Sequence, residues 1–210
     1  MGRTGDVAAM TEALPREFFD RPSLVVARDL LGRDLEHRGV VVRLTEVEAY
    51  AGPDDPASHA YRGVTPRNAV MFGPPGHLYV YFSYGMHWCA NVVCGPDGVA
   101  NAVLLRAGRV VSGLSAARSR RVTARSDDEL ARGPARLTAS LGIGREHDGL
   151  DLCRDGASTF LSTGQPVSDA QVAYGPRVGI SKAADLPWRV WVDGDPSVSP
   201  YRPGRAPKSQ

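Results

Sequence analysis

The chain has 210 residues, 42% of them hydrophobic and 23% charged, with a formal net charge of +2. That length and balance predict one domain with a sizeable core, and a charge so close to neutral excludes any argument for nucleic acid from charge alone. No stretch is apolar over the length a bilayer requires. The start, Met1-Gly2-Arg3-Thr4-Gly5-Asp6, lacks the apolar run of a signal peptide and the hydroxyl residue of a myristoylation signal. Cys89, Cys94 and Cys153 make no disulfide framework and suit a reducing compartment. The expectation is a cytoplasmic protein with no membrane partner.

Residues 1–13 read as a flexible N-terminal tail, 14–199 as the domain, and 200–210, rich in proline and basic residues, as a flexible C-terminal tail. Residues 16–20 predict a helical turn. Pro22-Ser23 opens a helix carried by Leu24, Val25, Ala27, Leu30 and Leu31 and closed by Gly32. Residues 33–35 and 39–50 predict strands joined by a turn at His37-Arg38-Gly39. Strict alternation along the second strand puts Leu44, Glu46, Glu48 and Tyr50 on one face and Arg43, Thr45, Val47 and Ala49 on the other. Turn-forming residues crowd Ala51 to Pro56, His59 follows in a short irregular segment, and Thr65-Pro66-Arg67-Asn68 and Gly73-Pro74-Pro75-Gly76 mark a long loop.

A hairpin comes next. Tyr79 and Tyr81 face one way, Leu78, Val80 and Phe82 the other, and Ser83-Tyr84-Gly85-Met86 is the turn, with Gly85 supplying the backbone angles other residues avoid. That puts Tyr84 at or near the tip. Residues 88–93 return as a strand, and 99–107 form another. Residues 110–121 predict an arginine-rich helix, 127–129 an acidic helix start, and Gly133-Pro134 a helix over 135–141. Short strands are predicted at 150–152, 160–162 and 188–192, and 171–174 and 177–180 flank a Gly-Pro turn. The sum is a mixed α/β (α+β) single domain whose strands, joined by short turns, are largely antiparallel.

The chemistry-bearing residues concentrate between Leu44 and Arg106. Neighbouring carboxylates oppose one another's ionisation, so Glu48 is the leading candidate for a general base, although spacing alone favours a surface glutamate paired with an arginine. Tyr50, Tyr79 and Tyr81 could fill a core, and Tyr50 and Tyr81 could instead sandwich an aromatic base. An aromatic at a hairpin tip, as Tyr84 is, suits a wedge between stacked bases. His59 reads as a loop histidine or a polar contact to a sugar, phosphate or base. Asn91 reads as a strand-end cap or a pocket residue, Arg106 and Arg177 as ion pairs or phosphate contacts, and the loop carrying Arg67 as a turn or a backbone contact. His87, Cys89 and Cys94 lie close together without tetrahedral ligand spacing, and neither a nucleophile elbow nor a phosphate-cradling glycine loop occurs.

These residues, taken in order, resemble the 3-methyladenine (alkyladenine) DNA glycosylase family. The resemblance runs over residues 16–192. It rests on Ala27-Arg28-Asp29-Leu30-Leu31-Gly32, Thr45-Glu46-Val47-Glu48-Ala49-Tyr50, Gly52-Pro53, His59, Thr65-Pro66-Arg67-Asn68, Leu78-Tyr79-Val80-Tyr81, Tyr84-Gly85-Met86, Asn91, Val103-Leu104-Leu105-Arg106-Ala107 and Arg177-Val178-Gly179. It implies a curved antiparallel sheet flanked by helices, a monomer that acts on damaged purines in double-stranded DNA, and no metal or other cofactor. It implies that Glu48 activates the water that attacks C1′, that Tyr50, His59 and Tyr81 enclose the flipped base, and that Asn91 helps exclude bases with an extra exocyclic amine. Tyr84 would enter the vacated space in the duplex, and Arg106, with Arg67 and Arg177, would meet the DNA backbone. Lys182 and Lys208, the two lysines, lie outside the site stretch, which predicts a monofunctional enzyme without an amine nucleophile. Residues 118–132 and 145–168 depart from the family pattern.

Overall fold

The structure, a computed structural model, describes residues 12–83 and 85–204. Its strands are β1 (Asp34–His37), β2 (Val40–Ala51), β3 (Leu78–Ser83), β4 (His87–Cys94), β5 (Asn101–Ser112), β6 (Ala131–Arg132), β7 (Thr159–Ser162), β8 (Val172–Gly175) and β9 (Arg189–Val192). They form one open sheet in the order β3-β4-β5-β2-β1-β7, with β6 against β5 and the β8-β9 pair joined to β2 through β9. Every pairing among the described strands is antiparallel. The helices are α1 (Arg16–Phe19), α2 (Ser23–Leu30), α3 (Leu114–Arg120) and α4 (Pro134–Leu141). The expected mixed α/β single domain is what is seen.

The sheet has two unlike faces. One carries the main core, in which Val26 and Leu30 of α2 and Leu137 and Leu141 of α4 meet Val42, Leu44, Val47, Ala49 and Leu105. The other carries a smaller cluster of Ala60, Met71, Tyr79, Val93, Ala100 and Ala102 beneath a loop layer. The second face holds the candidate site.

β2 is the axis of the sheet. β5 lies along one edge for its whole length. Its other edge is shared: β1 pairs with Val40 to Arg43, and β9 pairs with Glu46 to Glu48. The changeover coincides with two irregularities. Leu44 pairs with Gly108 and Glu46 with Ala107, so Thr45 is an extra residue on β2; Glu46 to Val47 is then matched by Ala107 to Leu105, so Arg106 is an extra residue on β5. Each is a β-bulge, which bends the strand and re-aims a side chain. Gly108 allows the approach, since a Cβ there would stand 2.3 Å from the Arg43 carbonyl oxygen.

The bulge corrects the parity read from alternation. Leu44 does not share a face with Glu46 and Glu48. It lies in the core with Val42, and after Thr45 the core positions become Val47 and Ala49. Three further expectations change. β5 runs on to Ser112, and the helix expected from Val110 begins at Leu114, after Gly113 turns the chain at a φ of 70°. Asp127–Glu129 is a single 3-10 turn. Asp151 makes one isolated bridge to His77 instead of a strand. Gly85 has the expected positive φ, 65°; Tyr84 lies outside the described residues, as do 1–11 and 205–210. Within the expected tails, Ala13 bridges to Ser162 and the Arg202 carbonyl accepts the Gly179 N–H.

Candidate active site

A cavity of about 460 Å³ opens on the second face of the sheet, within the range of small-molecule pockets. β2 supplies Glu48 and Tyr50, β3 Tyr79 and Tyr81, β4 Cys89 and Asn91, and β5 Leu104 and Arg106. The turn layer supplies His59 and Arg67, and the segment after β8 supplies Val178 to Ile180. Side chains two residues apart on a strand point the same way, which is why these pairs converge.

Glu48 is wholly buried. Its Oε1 accepts the Val178 N–H at 2.6 Å and stands 3.3 Å from Arg106 Nη1, while Oε2 accepts the Tyr50 hydroxyl at 3.0 Å. A carboxylate oxygen can accept about two hydrogen bonds, so Oε2 keeps one acceptor position free, in a residue that lines the cavity. The bare pair of carboxylates inferred from the sequence is not what the fold builds, because Arg106 stands between Glu46 and Glu48.

Three tyrosines and one histidine form the walls. Tyr79 and Tyr81 stack with centroids 5.5 Å apart at 26°, and the His59 ring meets Tyr81 edge-on at 4.6 Å. His59 Nδ1 lies 3.3 Å from the Tyr79 hydroxyl. Burial pushes the Tyr79 hydroxyl up to about 12 and also raises Tyr50 and Tyr81, so these phenols are neutral donors at pH 7. Beside Tyr50 the Glu48 charge adds to that effect. Burial, then Arg67, lowers His59 below the usual imidazole value, which favours the neutral ring. Asn91 is buried, and its Nδ2 donates to the Tyr79 carbonyl at 3.2 Å.

The arginines occupy three different settings. Arg67 is exposed at the rim; it donates to the Phe82 carbonyl at 3.2 Å and lies 5.6 Å from the centre of the Tyr81 ring. Arg106 is buried and faces the carboxylates. Arg177 has no exposed surface. Its Nη2 donates to Asp55 Oδ1 at 2.9 Å and its Nη1 to the Ala49 carbonyl at 3.0 Å, and its guanidinium lies over Tyr50 and Trp188 at 4.6 and 5.0 Å. It braces the Tyr50 wall from behind and presents nothing to a phosphate.

Sequence reasoning passed over several members of the site. Tyr79, read as a core residue, lines the cavity beside Tyr81. Cys89, weighed as a metal ligand, lines the cavity instead; burial pushes its thiol up, which keeps it protonated. No group of three or more His, Cys, Asp and Glu side chains is gathered among the described residues. The Val178 N–H, Asp55, Arg189 and Ser199 carry no local signal, since each meets its partner across more than 120 residues.

The family model described as methylpurine-DNA glycosylase matches residues 17–196. A protein of Streptomyces avermitilis provisionally named 3-methyladenine DNA glycosylase is 57% identical over 195 residues, covering 90% of this chain and 92% of its own. Proteins of the same provisional name from Frankia casuarinae and Nocardia farcinica are 51% and 54% identical, covering 91% and 87% of this chain and 94% and 88% of their own. The protein is thus a DNA glycosylase, a hydrolase that cleaves N-glycosidic bonds in DNA repair. Within that class the chain belongs to the methylpurine-DNA glycosylase family.

Proposed function

We propose that the enzyme flips damaged purines, among them 3-methyladenine, 7-methylguanine, hypoxanthine and ethenoadenine, out of double-stranded DNA into the tyrosine-walled cavity and hydrolyses the bond to the sugar. Glu48 takes a proton from a water at its free Oε2 position. The water oxygen bonds to C1′, the C1′–N bond breaks, and its electron pair leaves with the base. The same carboxylate stabilises positive charge on the sugar in the oxocarbenium-like transition state. A methylated cationic purine leaves as a neutral base, whereas hypoxanthine leaves more readily after taking a proton from solvent.

His59, Tyr50 and Tyr81 enclose the base, Asn91 disfavours bases with an additional exocyclic amine, and Tyr84 fills the space the base vacates. Arg67 at the rim meets the DNA backbone. Lys182 is exposed and is not among the cavity-lining residues, which supports a monofunctional reaction that leaves an abasic site; borohydride is expected to trap no covalent adduct. We take the enzyme to act as a monomer in the cytoplasm, where its free thiols stay reduced.

One observation carries this reading: a wholly buried carboxylate that faces an aromatic cavity with both oxygens oriented and one acceptor position free. Single-turnover release of hypoxanthine by wild type and by Glu48→Gln tests it. The variant should keep its affinity for lesion duplex and lose at least about 10²-fold in rate. A variant within tenfold of wild type would overturn the assignment.

A further inference from the structure

Behind Glu48, and outside the cavity lining, Glu46 is held by a second set of charges. It is wholly buried. Its Oε1 accepts from Arg106 Nε at 2.9 Å, Arg189 Nε at 2.7 Å and Ser199 Oγ at 2.9 Å, and its Oε2 accepts the Ser199 N–H at 2.7 Å. Three donors crowd its Oε1, and because Glu46 lies outside the cavity lining it is not placed to activate a water there. Burial alone would raise its carboxyl, but Arg106, Arg189 and Ser199 outweigh that and hold it below the usual range, so it is an anion at neutral pH.

The geometry around Arg106 gives this anion a task. Arg106 is the extra residue of the β5 bulge, directly beside the Glu46 pairing. Its Nε is bound to Glu46 and its Nη2 reaches Ser199 Oγ at 3.3 Å, which leaves Nη1 aimed at Glu48 Oε1, also at 3.3 Å. Arg189 comes from β9, which replaces β1 along β2 at this level. It donates to the Ser199 carbonyl at 2.7 Å and lies 4.6 Å over the Trp191 ring. The charged groups facing Glu46 are therefore Glu48 on its own strand, Arg106 on β5 and Arg189 on β9, with neutral Ser199 from the segment after β9. Two carboxylates and two guanidiniums share one buried space, and their charges cancel.

A purely structural clamp is an expensive way to fill that space. Burying ion pairs incurs a desolvation penalty that well-packed apolar residues avoid. The arrangement is accounted for if its charge matters to the carboxylate in front of it.

We propose that Glu46 is a positioning residue for the glycosidic reaction, one that turns Arg106 toward Glu48 and, balanced by Arg189, sets the charge that Glu48 experiences. This rests on the reading of Glu48 as the water-activating base. With Glu46 neutralised, two guanidiniums face Glu48 alone, and a proton binds to it less readily. With Arg189 neutralised, the Glu46 charge is less compensated, and a proton binds more readily. Substitutions on the two sides of one ion pair should thus act in opposite directions, which loss of packing does not do.

The test uses the full chain as wild type, Glu46→Gln, Arg189→Gln and Arg189→Lys, each verified as folded by circular dichroism and melting. Hypoxanthine release is followed as kcat/KM across the acid limb of the pH profile. Glu46→Gln is expected to move the limb to lower pH and Arg189→Gln to higher pH, each by on the order of one unit, while Arg189→Lys, which keeps the charge, leaves it in place. Limbs that stay put in all variants, or move the same way in Glu46→Gln and Arg189→Gln, overturn the proposal. If Glu46→Gln does not fold, the arginine pair decides: a limb raised by glutamine and unmoved by lysine supports the proposal, and equal behaviour of the two overturns it. Glu48→Gln is measured alongside. Release that survives in Glu48→Gln sinks the assignment of the base itself, whereas lost release there with unmoved limbs elsewhere sinks only the role of Glu46.

Discussion

Replacing Asp55 by asparagine removes the negative charge from a pair with no solvent exposure on either side. Arg177 would keep its hydrogen bond to the Ala49 carbonyl and its place between Tyr50 and Trp188, but a full positive charge would remain buried without a counter-ion. Its Nε already lacks a partner. Breaking a buried pair from one side costs about 3–5 kcal/mol, a large share of the roughly 5–15 kcal/mol that holds a domain together. For a chain of this size, where each kcal/mol moves Tm by roughly 2–4 °C, the melting point should drop by roughly 6–20 °C. Urea unfolding of wild type, Asp55→Asn and the double variant Asp55→Leu/Arg177→Met measures it. The double variant, which removes both charges, should recover at least half of the loss. A loss under about 1 kcal/mol in Asp55→Asn, or a double variant no better than the single, would refute the burial argument.

Other consequences are as direct. Arg67→Ala should lower the slope of log K against log salt for duplex binding by about one, while the double variant at Asp55 and Arg177 leaves it unchanged; an equal change in both would return Arg177 to the DNA surface. His37 is buried against His147, with ring centroids 4.6 Å apart and Thr159 Oγ1 2.6 Å from its Nδ1. Burial, then His147, pushes it down to about 4. Because the unfolded chain binds that proton near pH 6.5 and the folded chain does not, stability is lost as pH falls from there toward about 4. His37→Gln should flatten the decline by about 1–3 kcal/mol in urea titrations at the two ends, and parallel declines would contradict the assignment. Hypoxanthine release should fall more steeply at high pH than 3-methyladenine release, since only the neutral lesion gains from a proton on leaving. Superimposable profiles would rule out that difference.

Local pattern made much of the site legible. The alternation of Glu46, Glu48 and Tyr50, the Tyr79–Tyr81 pair and the turn glycine at 85 all come from periods of two and from backbone angles, which neighbouring residues determine. Leu44 was misplaced because an inserted residue reverses every side chain beyond it, and the composition of Thr45 does not announce a bulge. The run from Val110 was misread as helix because its arginines resemble a solvated helical face, whereas pairing of β5 with β2 extends the strand to Ser112. Sequence left Arg177 open between an ion pair and a phosphate contact, because its neighbours in the chain name no partner. Only the fold brings Asp55, 122 residues away, to meet it.

The clamp on Glu46 also bears on when the enzyme becomes active during its own synthesis. Glu46 leaves the ribosome early, and Ser199 follows 153 residues later. At translation rates of about 5–20 residues per second, the delay is roughly 8–30 s. Until its end the emerging polypeptide carries the carboxylates without Ser199, and Val178 and Arg189 arrive only 130 and 143 residues after the glutamates they meet. A fragment released before residue 178 would lack all three contacts, and the Ser199 contact to Glu46 is the last of them to become available.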